Sequence, residues 1–158
     1  MLIRPFLASD IEPCVQIITE CLGKDNGLMS AKDMRDGLSW PNPEYQWCER
    51  VVAEQAGALV GICGAYRLAT HPSGYSGVCW YGVVPKERNK WIGAALLSKS
   101  ERLALEHGLT YMFAWTIDSA VGYYRSKGYQ DLSPETIVPK ESSLLVGKDL
   151  AACQSSSS

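Results

Sequence analysis

The chain has 158 residues, of which 46% are hydrophobic and 20% are charged, which is typical of one soluble globular domain. A net charge of −2 leaves no basic field for nucleic acid, and no apolar run approaches the roughly 20 residues that span a membrane. The N-terminal segment "MLIRPFLASD" lacks the apolar stretch of a signal peptide. We therefore expect a cytoplasmic protein that binds neither nucleic acid nor membrane.

The six cysteines are scattered along the chain, and no two of them form a CxxC pair. Only two histidines are present, and they stand far apart in the sequence. Because structural zinc sites need closely spaced cysteine and histidine ligands, the pattern predicts no metal site. The cysteines are predicted to be small buried hydrophobic residues.

The first half of the chain is predicted to begin with a short strand and a helix. Ser9 is the expected N-cap of this helix, Glu12 reaches back to it, and Gly23 ends it after Leu22. Residues 24–44 are rich in Gly, Pro and polar residues, which predicts a loop, a weak second helix and another loop. The segments "RVVAE" and "LVGICGAYRLA", joined by "QAGA", predict a hairpin, and "GVCWYGVV" predicts a third strand.

The second half alternates helices and strands. It is predicted to contain a helix from about Trp91 to His107, the strand "TYMFAWT", a helix capped by Asp118 and ended by Gly128, and a strand around "SSLLVG". The order predicts one α+β domain over residues 1–150, with its central strands paired in sequence and later strands joined through helices. Residues 151–158 are predicted to be a disordered tail.

The segment "VVPKERNKWIGAALL", residues 83–97, leads from a strand into a helix, where free backbone N–H groups can hold an anion. Trp91 stands where glycine would be expected. A helical projection places it in the polar sector beside Ser98 and Arg102, which predicts an indole that points away from the core.

Two motifs resemble those of the GNAT superfamily of N-acetyltransferases. Arg88 and Gly93 match the first and last positions of its R/Q-x-x-G-x-G/A loop, whereas Trp91 replaces the middle glycine. The segment "AVGYYRSKGY", residues 120–129, is similar to the family's A-x-x-F-Y-x-x-x-G-F segment. This resemblance extends in element order from Leu2 to Leu150, and it implies a mostly antiparallel central sheet with a splayed pair of strands, flanked by helices.

The resemblance further implies binding of acetyl-CoA as co-substrate. Its pantetheine arm would pair with the splayed strand at Val83 and Val84, and its pyrophosphate would meet the following loop. The implied loop residues are Arg88, Asn89, Lys90, Trp91, Ile92, Gly93 and Ala94. From the residues alone, Arg88 and Lys90 are equally compatible with a solvated loop.

Tyr124 is by resemblance the general acid that protonates the departing sulfur, although it could instead pack its helix, as Tyr123 is expected to do. For the general base the sequence leaves Glu54, Asp118 or water open. Trp40, Tyr45 and Trp47 are the aromatic residues expected to wall the amine site. Core packing is the rival explanation for each of these three.

The implied acceptor is a small-molecule or peptide amine, and a homodimer is compatible with the sequence. Two alternatives stay open: a non-catalytic acyl-CoA-binding sensor, and an unrelated α+β interaction module. A dinucleotide fold is disfavoured because no G-x-G-x-x-G follows the first strand.

Overall fold

The structure is a computed structural model that describes residues 1–38, 45–88 and 90–155, except for the side chains of 153–155. Its strands are β1 (Leu2–Pro5), β2 (Tyr45–Gln55), β3 (Ala58–Leu68), β4 (Tyr75–Val78), β5 (Gly82–Val83), β6 (Tyr111–Thr116), β7 (Gln130–Leu132) and β8 (Leu144–Asp149). Its helices are α1 (Ile11–Leu22), α2 (Lys24–Leu38), α3 (Ile92–Glu106), α4 (Asp118–Ser126) and α5 (Leu150–Ser155). None of the described helices is both long and apolar enough to cross a bilayer.

The strands form a single sheet in the order β1-β2-β3-β4-β6-β8-β7, and β5 pairs with β3 beyond the end of β4. Only the β4–β6 pair is parallel; the other described pairs are antiparallel. This arrangement confirms the predicted mixed fold, in which a meander of central strands is followed by strands joined through helices.

A split opens in the sheet between β5 and the second half of β6. The pairing of β4 with β6 ends at Gly77 and Phe113. Beyond this point Gly82 and Val83 pair with β3 alone, while Ala114, Trp115 and Thr116 pair with β8 alone. The two halves of the sheet therefore diverge, which confirms the splayed pair of strands.

Helices cover both faces of the sheet. On one face, Ile92, Leu96 and Leu97 of α3 belong to the largest hydrophobic cluster. On the other face, Ile18 of α1 and Met34 of α2 pack in a second cluster. The split thus lies between two helical layers and connects the two faces of the sheet.

The segment after Gly23 differs from the prediction, because α2 runs without a preceding loop. Its polar composition concealed a buried stripe formed by Gly27, Ala31 and Met34, which recur at helical spacing. A side chain at Gly27 would collide with Thr19, so this glycine allows α2 to pack closely on α1. The predicted second helix is therefore present as α2, but the loop that was predicted before it was wrong.

Five smaller differences from the prediction are also present. Asp10, not Ser9, precedes α1, and it makes no side-chain cap, because its carboxylate accepts the N–H of Leu7 at 2.8 Å. Ile117 precedes α4, also without a side-chain cap. The predicted strand 77–84 is broken between β4 and β5, and β7 was missed. Residues 150–155 form the short helix α5, whereas disorder was predicted from residue 151, and residues 156–158 of the predicted tail lie outside the described residues.

Candidate active site

The edge of β5 carries backbone groups that face the split. The N–H of Val84 donates to the carbonyl of Val60 at 2.8 Å, so Val84 points toward β3. Backbone groups alternate along a strand, and those of Val83 therefore point away from β3, toward the split. The carbonyl of Val84 accepts the N–H of Glu87 at 2.8 Å. Val83 is thus part of the open edge and Val84 is not, which corrects the sequence-based expectation for Val84.

Arg88 lies against this open edge rather than extending into solvent. Its Nε donates to the carbonyl of Val83 at 3.2 Å, and its Nη2 lies 3.2 Å from the Sγ of Cys21. The same carbonyl also accepts the Cys21 thiol at 3.3 Å. The guanidinium therefore sits where the open edge of β5 meets the loop that leads to α3.

The first turn of α3 presents N–H groups that have no hydrogen-bond partner among the described residues. Its first backbone bond is donated by Ala95 to the carbonyl of Trp91, at 3.0 Å. Within the described part of the chain, the preceding N–H groups from Trp91 to Ala94 have no hydrogen-bond partner. Such a turn favours an anion. Lys90 pairs with Glu87 at 3.0 Å, and Asn89 lies outside the described residues.

Trp91 adopts a left-handed backbone conformation with φ of +72°. This conformation costs a residue with a Cβ about 1–2 kcal/mol, which explains why glycine is the expected residue at this position. The indole is 84% exposed, so the prediction that it points outward is confirmed. It does not cover the free N–H groups of the turn.

Tyr81 connects three elements around the split. Its hydroxyl donates to the carbonyl of Gly93 at 2.5 Å and lies 2.8 Å from the hydroxyl of Tyr123 on α4. Because Tyr81 has one proton to give, Tyr123 must be the donor of the second bond. A Cβ at Gly93 would stand 3.0 Å from the Tyr81 hydroxyl, so glycine allows this close approach. Sequence reasoning missed Tyr81, although the alternation of a strand places its side chain on the same face of the sheet as that of Val83, two residues later.

Tyr124 lies beside this group with only 7% of its surface exposed. Its ring packs edge-on against Tyr81 and Tyr129, with centroid distances of 6.3 and 5.3 Å. Its hydroxyl has no hydrogen-bond partner among the described residues. Burial raises the pKa of Tyr124 above its ordinary value, which keeps the phenol protonated at neutral pH. The side chain is therefore available as a proton donor.

Of the two carboxylates considered as bases, Glu54 lies away from the split. Glu54 is bound to Arg4 at 3.1 Å and pairs with Leu59 beside the turn of the β2–β3 hairpin. Asp118 is the exposed first residue of α4. The structure does not bring Glu54 to the split, which argues against its role as base.

The expected aromatic wall is divided between the two faces of the sheet. The hydroxyl of Tyr45 donates to Asp33 of α2, and its ring packs on Tyr66. Trp47 instead stacks on His107, beyond the end of α3, with ring centroids 4.4 Å apart. Trp47 is therefore a core residue, contrary to expectation, and Trp40 lies outside the described residues.

The fold and the site, with a split sheet, an anion-binding turn and a buried phenol, define a class of acyl-transfer proteins. The Acetyltransferase (GNAT) family model matches residues 17–129. The chain therefore belongs to the GNAT acetyltransferase family.

Similar proteins agree with this assignment. The uncharacterized N-acetyltransferase YuaI of Bacillus subtilis is 27% identical over 112 residues, which are 66% of this chain and 63% of that protein. The alignment thus spans less than two thirds of that relative's length.

Solved structures share the fold. A GNAT-family acetyltransferase from Staphylococcus aureus Mu50 superposes with a TM-score of 0.76 at 20% identity, covering 94% of this chain and 98% of the other. An aminoglycoside 6′-N-acetyltransferase complexed with coenzyme A has a TM-score of 0.71 at 15% identity, covering 95% and 97% of the two chains.

Proposed function

We propose that the protein transfers an acetyl group from acetyl-CoA to a primary amine, by direct attack within a ternary complex. The observation that carries the proposal is the alignment of three features along one split: the Val83 edge, the free N–H groups of α3 and the buried phenol of Tyr124. A similar fold is known in complex with coenzyme A, which supports the choice of donor.

The donor would lie along the split. The amide groups of its pantetheine arm would pair with the backbone of Val83, as an added strand does. Its pyrophosphate would accept hydrogen bonds from the N–H groups between Trp91 and Ala94, where the dipole of α3 favours negative charge. Arg88 would leave the Val83 carbonyl and add a charge-assisted hydrogen bond to a phosphate.

The chemical step forms a C–N bond and breaks a C–S bond. A neutral amine attacks the thioester carbonyl, and negative charge develops first on the oxygen and then on the departing sulfur. Backbone N–H groups at the split stabilise the oxyanion. Tyr124 donates its proton to the sulfur, and the proton lost by the attacking amine passes to water. Solvent then restores the phenol.

The test is release of free coenzyme A thiol when the purified protein is mixed with acetyl-CoA and a panel of amines. Thiol release that depends on the amine supports the enzyme. Stabilisation by acetyl-CoA without any transfer would instead indicate a sensor. A ligand that binds only the folded state at about 100 times its Kd adds about 2.7 kcal/mol to the free energy of unfolding. No change in Tm at millimolar acetyl-CoA would contradict both the enzyme and the sensor.

Action in the cytoplasm on a small-molecule or peptide amine is part of this proposal.

A further inference from the structure

Glu101, Tyr129 and Lys148 form a hydrogen-bonded group, called here the Glu101 network. They come from α3, the turn after α4 and β8, three regions far apart in sequence. The Nζ of Lys148 donates to both carboxylate oxygens of Glu101, at 3.2 and 3.1 Å, and the hydroxyl of Tyr129 donates to one of them at 2.8 Å. One carboxylate therefore joins three elements of the fold.

The Glu101 network is largely shielded from water. The side chains of Glu101 and Lys148 are each 14% exposed, and Tyr129 is 2% exposed. Burial and then the charge of Glu101 raise the pKa of Tyr129, so its hydroxyl stays protonated and remains a donor. A shielded ion pair can often be replaced by apolar side chains without loss of stability. Fold stability alone therefore does not explain why these polar groups are present.

Tyr129 connects the Glu101 network to the proposed acid through two contacts. Its backbone N–H donates to the carbonyl of Tyr124 at 3.1 Å. Its ring packs edge-on against the ring of Tyr124, with centroids 5.3 Å apart and an angle of 70° between the ring planes. A single residue thus lies between the carboxylate of Glu101 and the phenol of Tyr124.

The orientation of the Tyr124 phenol depends on the rings around it, because its hydroxyl has no hydrogen-bond partner among the described residues. Tyr81, Tyr123 and Tyr129 surround this ring, with centroid distances of 6.3, 6.0 and 5.3 Å. Tyr81 and Tyr123 are held by the bond between their own hydroxyls. Tyr129 is the nearest of the three, and Glu101 fixes its hydroxyl instead.

We propose that Tyr129 is a positioning residue for the acid: Glu101 and Lys148 fix its hydroxyl, and its ring keeps the phenol of Tyr124 directed at the departing sulfur. This proposal rests on the proposed function, because it concerns the same proton transfer. The Glu101 network acts through Tyr124 and touches neither substrate. A displacement of about 1 Å at a reacting group can cost about 100-fold in rate, so a small loss of order at Tyr124 is measurable.

The first experiment is a double-mutant cycle on kcat under single-turnover conditions, with Tyr129→Phe and Tyr124→Phe made singly and together. Tyr129→Phe keeps the ring but loses the bond to Glu101. Because the ring stays in place, we expect a partial loss of about tenfold in kcat, with the KM for acetyl-CoA unchanged. In the Tyr124→Phe background the same change should lower kcat by less than about twofold, since no phenol remains to be misplaced. Equal losses in the two backgrounds would overturn the inference, because independent positions add.

Asp131→Asn is the matched control for this cycle. Asp131 lies on β7 and binds Arg125 of α4 at 2.8 Å, but both side chains are exposed. The variant therefore weakens the attachment of α4 at the surface and leaves the Glu101 network intact, so kcat should not change. A loss as large as that of Tyr129→Phe would contradict a specific role for Tyr129.

Nuclear magnetic resonance with ring-labelled tyrosine separates positioning from chemistry. The signal of Tyr124 is identified by its absence in Tyr124→Phe. We expect this signal to shift and broaden in Tyr129→Phe and in Glu101→Gln, whereas Asp131→Asn should leave it unchanged. That result supports the inference even if no acetyl transfer occurs, and absence of transfer in the wild type would contradict the proposed function alone. An unchanged Tyr124 signal in both network variants would overturn the inference.

Discussion

The hydroxyl groups of Tyr81 and Tyr123 lie 2.8 Å apart and join the β5 side of the split to α4. Both hydroxyls already donate a hydrogen bond, Tyr81 to the carbonyl of Gly93 and Tyr123 to the hydroxyl of Tyr81. The adjacent phenol of Tyr124 donates to no group in the part of the chain that the structure describes. Of the two neighbouring tyrosines on α4, the structure therefore favours Tyr124 as the acid.

Tyr124→Phe is expected to lower kcat by about 10²-fold or more while leaving the affinity for acetyl-CoA unchanged, because positioned proton transfer contributes about 10²–10⁴-fold. Tyr123→Phe is the matched comparison, since it removes one phenol from the same helix, and it should lower kcat much less. Single-turnover kinetics with a good acceptor measure the chemical step. Equal losses in the two variants would assign Tyr124 to packing.

Trp91→Gly is expected to raise the free energy of unfolding by about 1 kcal/mol, because glycine adopts the left-handed conformation without strain. Affinity for acetyl-CoA should stay similar or fall by up to about tenfold, since an exposed indole can stack on adenine. Trp91→Ala separates the two effects, because it removes the indole but keeps a Cβ. Melting curves measure the stability, and calorimetric titrations at one ionic strength measure the affinity for acetyl-CoA. A tenfold gain in affinity for Trp91→Gly would show that the indole obstructs the turn.

Arg88→Ala is expected to weaken acetyl-CoA binding by about tenfold or more, since a charge-assisted hydrogen bond to a phosphate is lost. Binding of S-acetylpantetheine, which lacks the phosphates, should not weaken, because the guanidinium no longer covers the Val83 carbonyl. Lys86→Ala removes another positive charge from the same loop and serves as the control. Equal losses for both ligands would contradict a phosphate contact.

His71 makes stability depend on pH. It is buried, its Nδ1 accepts the N–H of Leu68 at 3.1 Å, and burial lowers the pKa of His71 from 6.5 to about 4. The unfolded chain therefore binds the proton first, and stability falls as the pH drops from 6.5 toward 4, by about 3 kcal/mol in total.

His71→Asn should remove this dependence of stability on pH, because the amide oxygen of asparagine can accept the hydrogen bond from the same N–H without titrating. His107→Asn is the control, and its stability should depend on pH as that of the wild type does. Urea unfolding at a series of pH values gives the comparison. A wild-type stability that does not change between pH 6.5 and 4 would show that His71 is not held neutral.

The sequence predicted those parts of the fold and the site that depend on local patterns. The hairpin and α3 follow from periodicity, and both are confirmed. The outward indole of Trp91 is also confirmed, but the helical projection behind that prediction does not apply, because Trp91 precedes α3 in a left-handed conformation. The second helix was predicted only as a weak helix after a loop, because the burial of α2 depends on Gly27 meeting Thr19, a contact between two helices that composition does not reveal.

Tertiary contacts explain the remaining differences within the site. Trp47 and Tyr45 stand two residues apart, but a register shift in β2 and different neighbours place their rings on opposite faces. The hydrogen bond from the indole of Trp80 to Asp33 could not be found from the sequence either, because it joins two elements that are far apart in the chain.

The open edge of β5 has a consequence for association between chains. An unpaired strand edge is a template on which an extended segment of another molecule can add, and proteins often protect such edges with positive charge. Arg88 places its guanidinium on the Val83 carbonyl and so supplies a protecting positive charge at this edge. The guanidinium would leave the edge for a phosphate only when acetyl-CoA is bound. The pantetheine arm would then cover the edge instead. One arginine would thus protect against aggregation and also contribute to ligand binding.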